Sequence, residues 1–201
     1  MTSLVVISAG LSQPSSTRLL ADKLTAAVRD AFPGELEVSV IELRDLAHDI
    51  TNNLLTGFPA PALAAATAAV GAADGLIAVT PIFTASYSGL FKSFFDVLDT
   101  EALDGKPVLI GATGGSARHS LALEHAVRPL FSYLRAAVVP TAVYAASEDW
   151  ASAGESELSG RVTRAGRQLA GVMAGTPTGS AVKDPFADVL PFTEMLRAQG
   201  Q

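Results

Sequence analysis

Residues Gly75 to Leu98 read GLIAVTPIFTASYSGLFKSFFDVL. The run Leu76-Ile77-Ala78-Val79 is apolar without alternation, the mark of a strand buried on both faces. Thr80-Pro81 closes it, and a polar and aromatic loop follows from Ile82 to Ser86. An amphipathic helix begins at about Ser88 and carries Leu90, Phe91, Phe94 and Phe95, read as core or subunit interface. Gly89 lets that helix approach a ligand or the sheet closely. A buried strand that runs through a hydroxyl-bearing loop into a helix is where α/β proteins usually hold ligands.

The same unit recurs on either side. Leu4 to Ser8 is a buried strand, and Ala9 to Ser16 a loop with Gly10 and Pro14. A helix follows over about Ser16 to Ala31, with Leu20, Leu24, Ala27, Val28 and Ala31 on one face. Ser15 or Ser16 is its N-cap, and Pro33-Gly34 stops it. Leu36 to Leu43 is a second strand, Arg44 to Phe58 a longer irregular stretch, and Ala60 to Ala73 an Ala-rich helix. Beyond the opening segment, Pro107 to Ala112 is a fourth strand ending in Thr113-Gly114-Gly115-Ser116. A long helix is expected from about Ala117 to Leu134, a fifth strand from Val138 to Ala146, and a last helix from about Glu155 to Met173. Pro129 cannot donate to the carbonyl of His125, so a kink or π-bulge is expected between them.

Five alternations of strand and helix demand a parallel sheet with helices on both faces, an αβα sandwich. The doubly wound strand order expected for five strands is 2-1-3-4-5, with the ligand crevice at the carboxyl ends of strands 1, 3 and 4. Residues 1–175 form this domain. Residues 176–201 turn first to Gly, Pro, Ser and Thr, a linker, and then to Phe186, Val189, Leu190, Phe192 and Leu196. That end is expected to dock on its own or a neighbouring subunit.

Composition narrows the function. The 201 residues are 49% hydrophobic and 17% charged, with a net charge of -6 and no cysteine. The acidic balance disfavours nucleic acid and anionic membranes as partners. Without cysteine there is no disulfide, thiol redox centre or thiolate metal site. His48, His119 and His125 are too dispersed for a zinc motif. No uninterrupted apolar run of about 18 residues is present, and the N-terminus lacks the basic start of a signal peptide. A cytoplasmic location is expected.

The first loop, SAGLSQPSSTR from Ser8 to Arg18, is neither a Walker loop nor a dinucleotide fingerprint. Hydroxyls at Ser12, Ser15, Ser16 and Thr17 at a helix start suit a single terminal phosphate. An ordinary serine-rich N-cap would carry the same residues. The second loop offers Phe83 and Tyr87, which could equally be core aromatics. In the third, Gly114-Gly115-Ser116 exposes backbone amides able to meet a planar heterocycle's carbonyl. Arg118 and His119 could meet a second anion or solvate a helix start. No Gly-x-Ser-x-Gly follows a strand, and no acidic residue ends strand 1 as a receiver domain requires. With no Asp or Glu and only His119 in the three loops, acid–base catalysis is poorly supplied, and a cofactor is expected to carry the chemistry.

Together SAGLSQPSSTRLL, TPIFTASYSGLFKSFFD and ATGGSARHSLALEHAVRPLFSYLRA resemble the NAD(P)H-dependent FMN reductases of flavodoxin-like fold, over about residues 4 to 175. The nearest likeness is to the branch that supplies reduced flavin to two-component monooxygenases. The resemblance implies FMN phosphate at Ser12, Ser15 and Thr17. It implies isoalloxazine contacts at Pro81, Ile82, Phe83 and Thr84, and at Thr113, Gly114, Gly115 and Ser116. It further implies a homodimer or homotetramer with FMN near the subunit interface. Arg118 is the candidate for the pyrophosphate or 2′-phosphate of NAD(P)H. A quinone or azo reductase with prosthetic FMN and a flavin-binding electron carrier are the alternatives.

Overall fold

A computed structural model describes residues 1–151 and 155–175. Its elements in chain order are β1 (Thr2–Ser8), α1 (Ser16–Ala31), β2 (Leu36–Glu42), α2 (Ala47–Thr56), α3 (Pro61–Ala72), β3 (Gly75–Phe83), β4 (Ser86–Tyr87), α4 (Gly89–Asp96), β5 (Pro107–Gly114), α5 (Arg128–Tyr133), β6 (Ala137–Val138), β7 (Val143–Ala146) and α6 (Glu155–Met173). The sheet runs β2-β1-β3-β5-β6, with β7 also on β5 and β4 on β3. All pairs are parallel except β3–β4.

The central strands bury both faces, which is why they read as continuous apolar runs. On β1, Leu4 and Val6 enter the core under α1 and α6, while Val5 and Ile7 enter the core on the opposite face, beneath α2 to α5. Ile77, Val79 and Leu109 join the first core; Leu76, Ala78, Val108 and Ile110 join the second. Phe91, Phe94 and Phe131 are fully buried in the second core, each contributing about 2–3 kcal/mol of burial. Phe91 and Phe94 are therefore core residues of the subunit itself.

The sequence expectation of an αβα sandwich with parallel order 2-1-3-4-5 describes the five positions of the parallel layer, but the sheet has seven strands rather than five. One extra strand is β4, which folds back on the extended end of β3 through Ile82↔Tyr87 and Phe83↔Ser86. The other arises because the fifth position is broken. β6 pairs with Pro107 and Val108, and β7 with Gly111 to Gly114. Between them Pro140 has no N–H to give to the ladder, and the chain bulges. Arg128 Nη1 and Nη2 donate to the carbonyls of Val139 and Pro140, both at 3.1 Å, and satisfy acceptors that the ladder abandons.

Two helix expectations also change. The stretch after β2 is not irregular: a 3-10 turn (Leu43–Leu46) leads into α2, which Gly57 ends in the left-handed conformation at φ 77°. The long helix expected over residues 117–134 is broken instead. It comprises a 3-10 turn (Ala117–His119), a π-helical turn (Leu123–Val127) and α5. The Arg128 N–H reaches back five residues to the Leu123 carbonyl. The break therefore falls where Pro129 removes a donor. The expected tail contacts of Phe186 and Phe192 lie outside the described residues.

Candidate functional site

The carboxyl ends of β1, β3 and β5 open into one cleft of about 500 Å³, within the range of small-molecule and cofactor sites. Its lining includes Ser12, Ser15, Ser16 and Thr17 from the first loop, Pro81, Ile82 and Phe83 from the second, and Thr113, Gly114 and Gly115 from the third. Nine of the twelve residues expected at the site thus meet in one depression. Thr84, Ser116 and Arg118 do not line it. Thr84 sits at the tip of the β3–β4 hairpin, the carbonyl of Ser116 accepts from Tyr144, and Arg118 is exposed on the 3-10 turn beyond the third loop.

Local chemistry shapes each wall. Ser15 is the N-cap of α1 and its Oγ accepts from the Arg18 N–H at 3.3 Å. The N–H groups of Ser16 and Thr17 have no acceptor among the described residues, and they stand at the positive end of α1. As an acceptor in the cap, the Ser15 hydroxyl keeps its own proton to donate. The Ser12 hydroxyl instead donates to the Pro14 carbonyl at 3.0 Å. The Thr17 hydroxyl is buried and paired with that of Thr113 at 2.8 Å, so it ties the first loop to the third.

Two glycines make room. A Cβ on Gly10 would lie 2.0 Å from Ser15 Oγ, and one on Gly114 would lie 2.1 Å from the Tyr144 hydroxyl. Burial pushes the Tyr144 phenol above its ordinary pKa, with Glu148 and Asp149 adding to the effect. It therefore stays protonated and donates to the Ser116 carbonyl at 2.9 Å, fixing the glycine loop. In the second wall Thr80 is buried, and its Oγ1 accepts from the Ser88 N–H at 3.1 Å, which returns the hairpin to α4. Thr84 and Ala85 complete that hairpin at φ 48° and 70°, a turn with both central residues left-handed.

A fourth wall was missing from the sequence reading. Ser147 and Trp150, on the 3-10 turn that follows β7, also line the cleft. Asp149 Oδ2 accepts from the Ala146 N–H at 2.8 Å, and Glu148 Oε1 from the Ala117 N–H at 3.3 Å, so this turn is tied to the third loop. The signal was available: with strand order 2-1-3-4-5, the carboxyl end of the fifth strand adjoins that of the fourth.

Among the described residues, none that lines the cleft carries an ionisable side chain. The site can bind and orient, and a bound cofactor must supply the reactive centre. Free amides at a helix start, a donor hydroxyl, a slot kept open by Gly114, and apolar walls at Ile82, Phe83 and Trp150 fit a phosphorylated planar heterocycle. Among the described residues there is no group of three or more His, Cys, Asp or Glu able to hold a metal.

Fold and cleft together define a flavodoxin-like nucleotide-binding protein. Residues 2–151 match the family model of NADPH-dependent FMN reductase, and the chain belongs to that family. It is 38% identical to an FMN reductase (NADPH) of Pseudomonas aeruginosa over 146 residues, 73% of this chain and 77% of the relative. It is 36% identical to the NADH-dependent FMN reductase SfnF of Pseudomonas fluorescens over 179 residues, 89% and 93% of the two chains. Among solved structures, an oxidoreductase from Corynebacterium diphtheriae superposes with a TM-score of 0.85 at 50% identity, covering 87% of this chain and 98% of that one.

Proposed function

We propose that this FMN reductase oxidises NAD(P)H, transfers the hydride to FMN held in the cleft, and releases reduced FMN to a partner flavin-dependent monooxygenase. The observation that carries the reading is a cleft with free amides and a donor hydroxyl at one wall and, among the described residues, no ionisable side chain at any other. FMN supplies the two-electron chemistry when bound. The chain's part is placement: the Ser16 and Thr17 amides and the Ser15 hydroxyl hold the phosphate, and Ile82, Phe83, Gly114 and Gly115 flank the ring. Thr84 and Ser116 act as hairpin tip and loop anchor beside the ring. Arg118, exposed and without a partner among the described residues, is the residue we assign to a phosphate of the incoming nicotinamide nucleotide.

Relatives named for NADPH and for NADH match this chain almost equally, so either donor is compatible with the family. Assembly as a homodimer or homotetramer is supported by a groove of about 540 Å³ between α4 and α5, lined by Phe95, Leu98, Pro129 and Leu130 with Lys92, Asp96 and His125 among them and Tyr133 82% exposed. Among the described residues no single helix is long and apolar enough to cross a membrane.

The test is oxidation of NADH and NADPH with FMN in excess over enzyme, followed by anaerobic ultrafiltration. Saturable dependence on added FMN, with reduced flavin in the filtrate, is the expected result. Absence of FMN-dependent oxidation would overturn the reading. Quinone reduction at full rate without added FMN would favour the prosthetic-flavin alternative.

A further inference from the structure

Ser12 and Ser15 stand in a thin wall. One side of it lines the cleft, and the other lines a shallower groove that also holds Gln13, Pro14 and Arg44. Arg44, on the 3-10 turn after β2, grips this wall from behind. Its Nη1 donates to the Ser12 carbonyl at 2.9 Å, and its Nη2 pairs with Glu42 at 2.6 Å. The Gln13 side-chain oxygen, in the amide orientation that the surrounding donors require, also accepts from Arg44. The Arg44 side chain is only 17% exposed. A trans peptide sets its N–H opposite its C=O. Turning the Ser12 carbonyl onto Arg44 therefore turns the Gln13 N–H away from Arg44, and the same contact fixes Ser12, the residue of this peptide that lines the cleft.

From this geometry we infer that Arg44 is a positioning residue for the FMN phosphate, acting through the Ser12–Gln13 peptide rather than by touching the ligand. The inference rests on the reading of this loop as the phosphate site. Charge alone does not explain the arrangement. Glu42 pairs with Arg18 at 2.6 Å as well as with Arg44, and Asp22 pairs with Arg18 at 2.8 Å. Asp45 Oδ1 lies 3.6 Å from Arg44 Nε as well, so two guanidinium groups face three carboxylates and no net positive charge is left to attract an anion from a distance. What Arg44 supplies is a fork that meets a carbonyl and a carboxylate from separate nitrogens, which a lysine cannot reproduce.

The experiment compares the affinities of FMN and riboflavin, which differ by the phosphate, for the wild-type protein, Arg44→Ala and Arg44→Lys. Thermal melts of the ligand-free proteins run in parallel. Arg44→Ala is expected to cut the preference for FMN over riboflavin about tenfold, the loss of one charge-assisted hydrogen bond, while riboflavin affinity stays near wild type. Arg44→Lys is expected to restore little of that preference. A merely structural role would lower the melting temperature and weaken both ligands together. A wild-type preference for FMN that Arg44→Ala leaves intact, or that Arg44→Lys restores in full, overturns this inference alone. Equal wild-type affinity for the two flavins would remove the phosphate reading and the inference with it.

Discussion

Gly114→Ala tests whether the glycine loop is set by its packing against Tyr144. The new Cβ would lie 2.1 Å from the Tyr144 hydroxyl and 3.1 Å from the ring carbon that bears it. Heavy atoms are comfortable only near ~3.5 Å, so the phenol must retreat by more than ~1 Å. That retreat strains a residue only 5% exposed and breaks its hydrogen bond to the Ser116 carbonyl. Overpacking and the lost bond together cost about 2–4 kcal/mol. Tyr144→Phe alone removes the bond and costs about 1 kcal/mol. In the double variant the hydroxyl is gone, and the nearest ring carbon need give by only a few tenths of an ångström. The pair should then cost about 1–2 kcal/mol, well below the sum of the single changes. Urea unfolding followed by far-UV circular dichroism measures all four proteins, and FMN titration shows whether the loop recovers its binding geometry. Effects that add to within about 0.5 kcal/mol would refute the steric reasoning.

Trp150 is the only tryptophan of the chain and lines the cleft, so its emission should be quenched in proportion to FMN occupancy; emission unchanged at saturating FMN would separate the fourth wall from the flavin. The Thr84-Ala85 turn holds two non-glycine residues at positive φ, and Thr84→Asn with Ala85→Gly should raise stability by about 1–2 kcal/mol in urea unfolding, because left-handed backbone disfavours a β-branched residue. No gain there would mean that the hairpin carries no strain. Ser8 Oγ is fully buried with no hydrogen-bond partner among the described residues; Ser8→Ala is therefore expected to be neutral or to stabilise by up to about 1 kcal/mol, and a loss of more than about 1 kcal/mol would reveal a partner for that hydroxyl.

The apolar pattern was legible because it is local. Burial of β1, β3 and β5 on both faces requires unbroken runs of apolar residues, and Leu4 to Ile7 and Leu76 to Val79 cannot be read as half-exposed strands. Where burial is slight the signal fails: α2 buries only Ile50, and its sequence reads as irregular. Val138 to Ala146 fails the opposite way. It is apolar enough for one strand, and only the competition between Pro140 and the β5 ladder splits it.

Polar commitments are tertiary, and that limits what a loop of hydroxyls can say. In the sequence Ser12, Ser15 and Thr17 are equivalent donors at a helix start. In the structure Thr113, 96 residues away, takes the Thr17 hydroxyl, and the Pro14 carbonyl takes the proton of Ser12. Ser15 accepts from the Arg18 N–H and keeps its proton. The sequence therefore names the donors that a phosphate site could draw on, and packing decides which of them remain. Here the remainder includes the Ser15 and Ser16 hydroxyls and two amides at the start of α1, on a wall that Arg44 grips from a different strand connection. An anion site of this kind is built as much by the hydrogen bonds that remove candidates as by those left open.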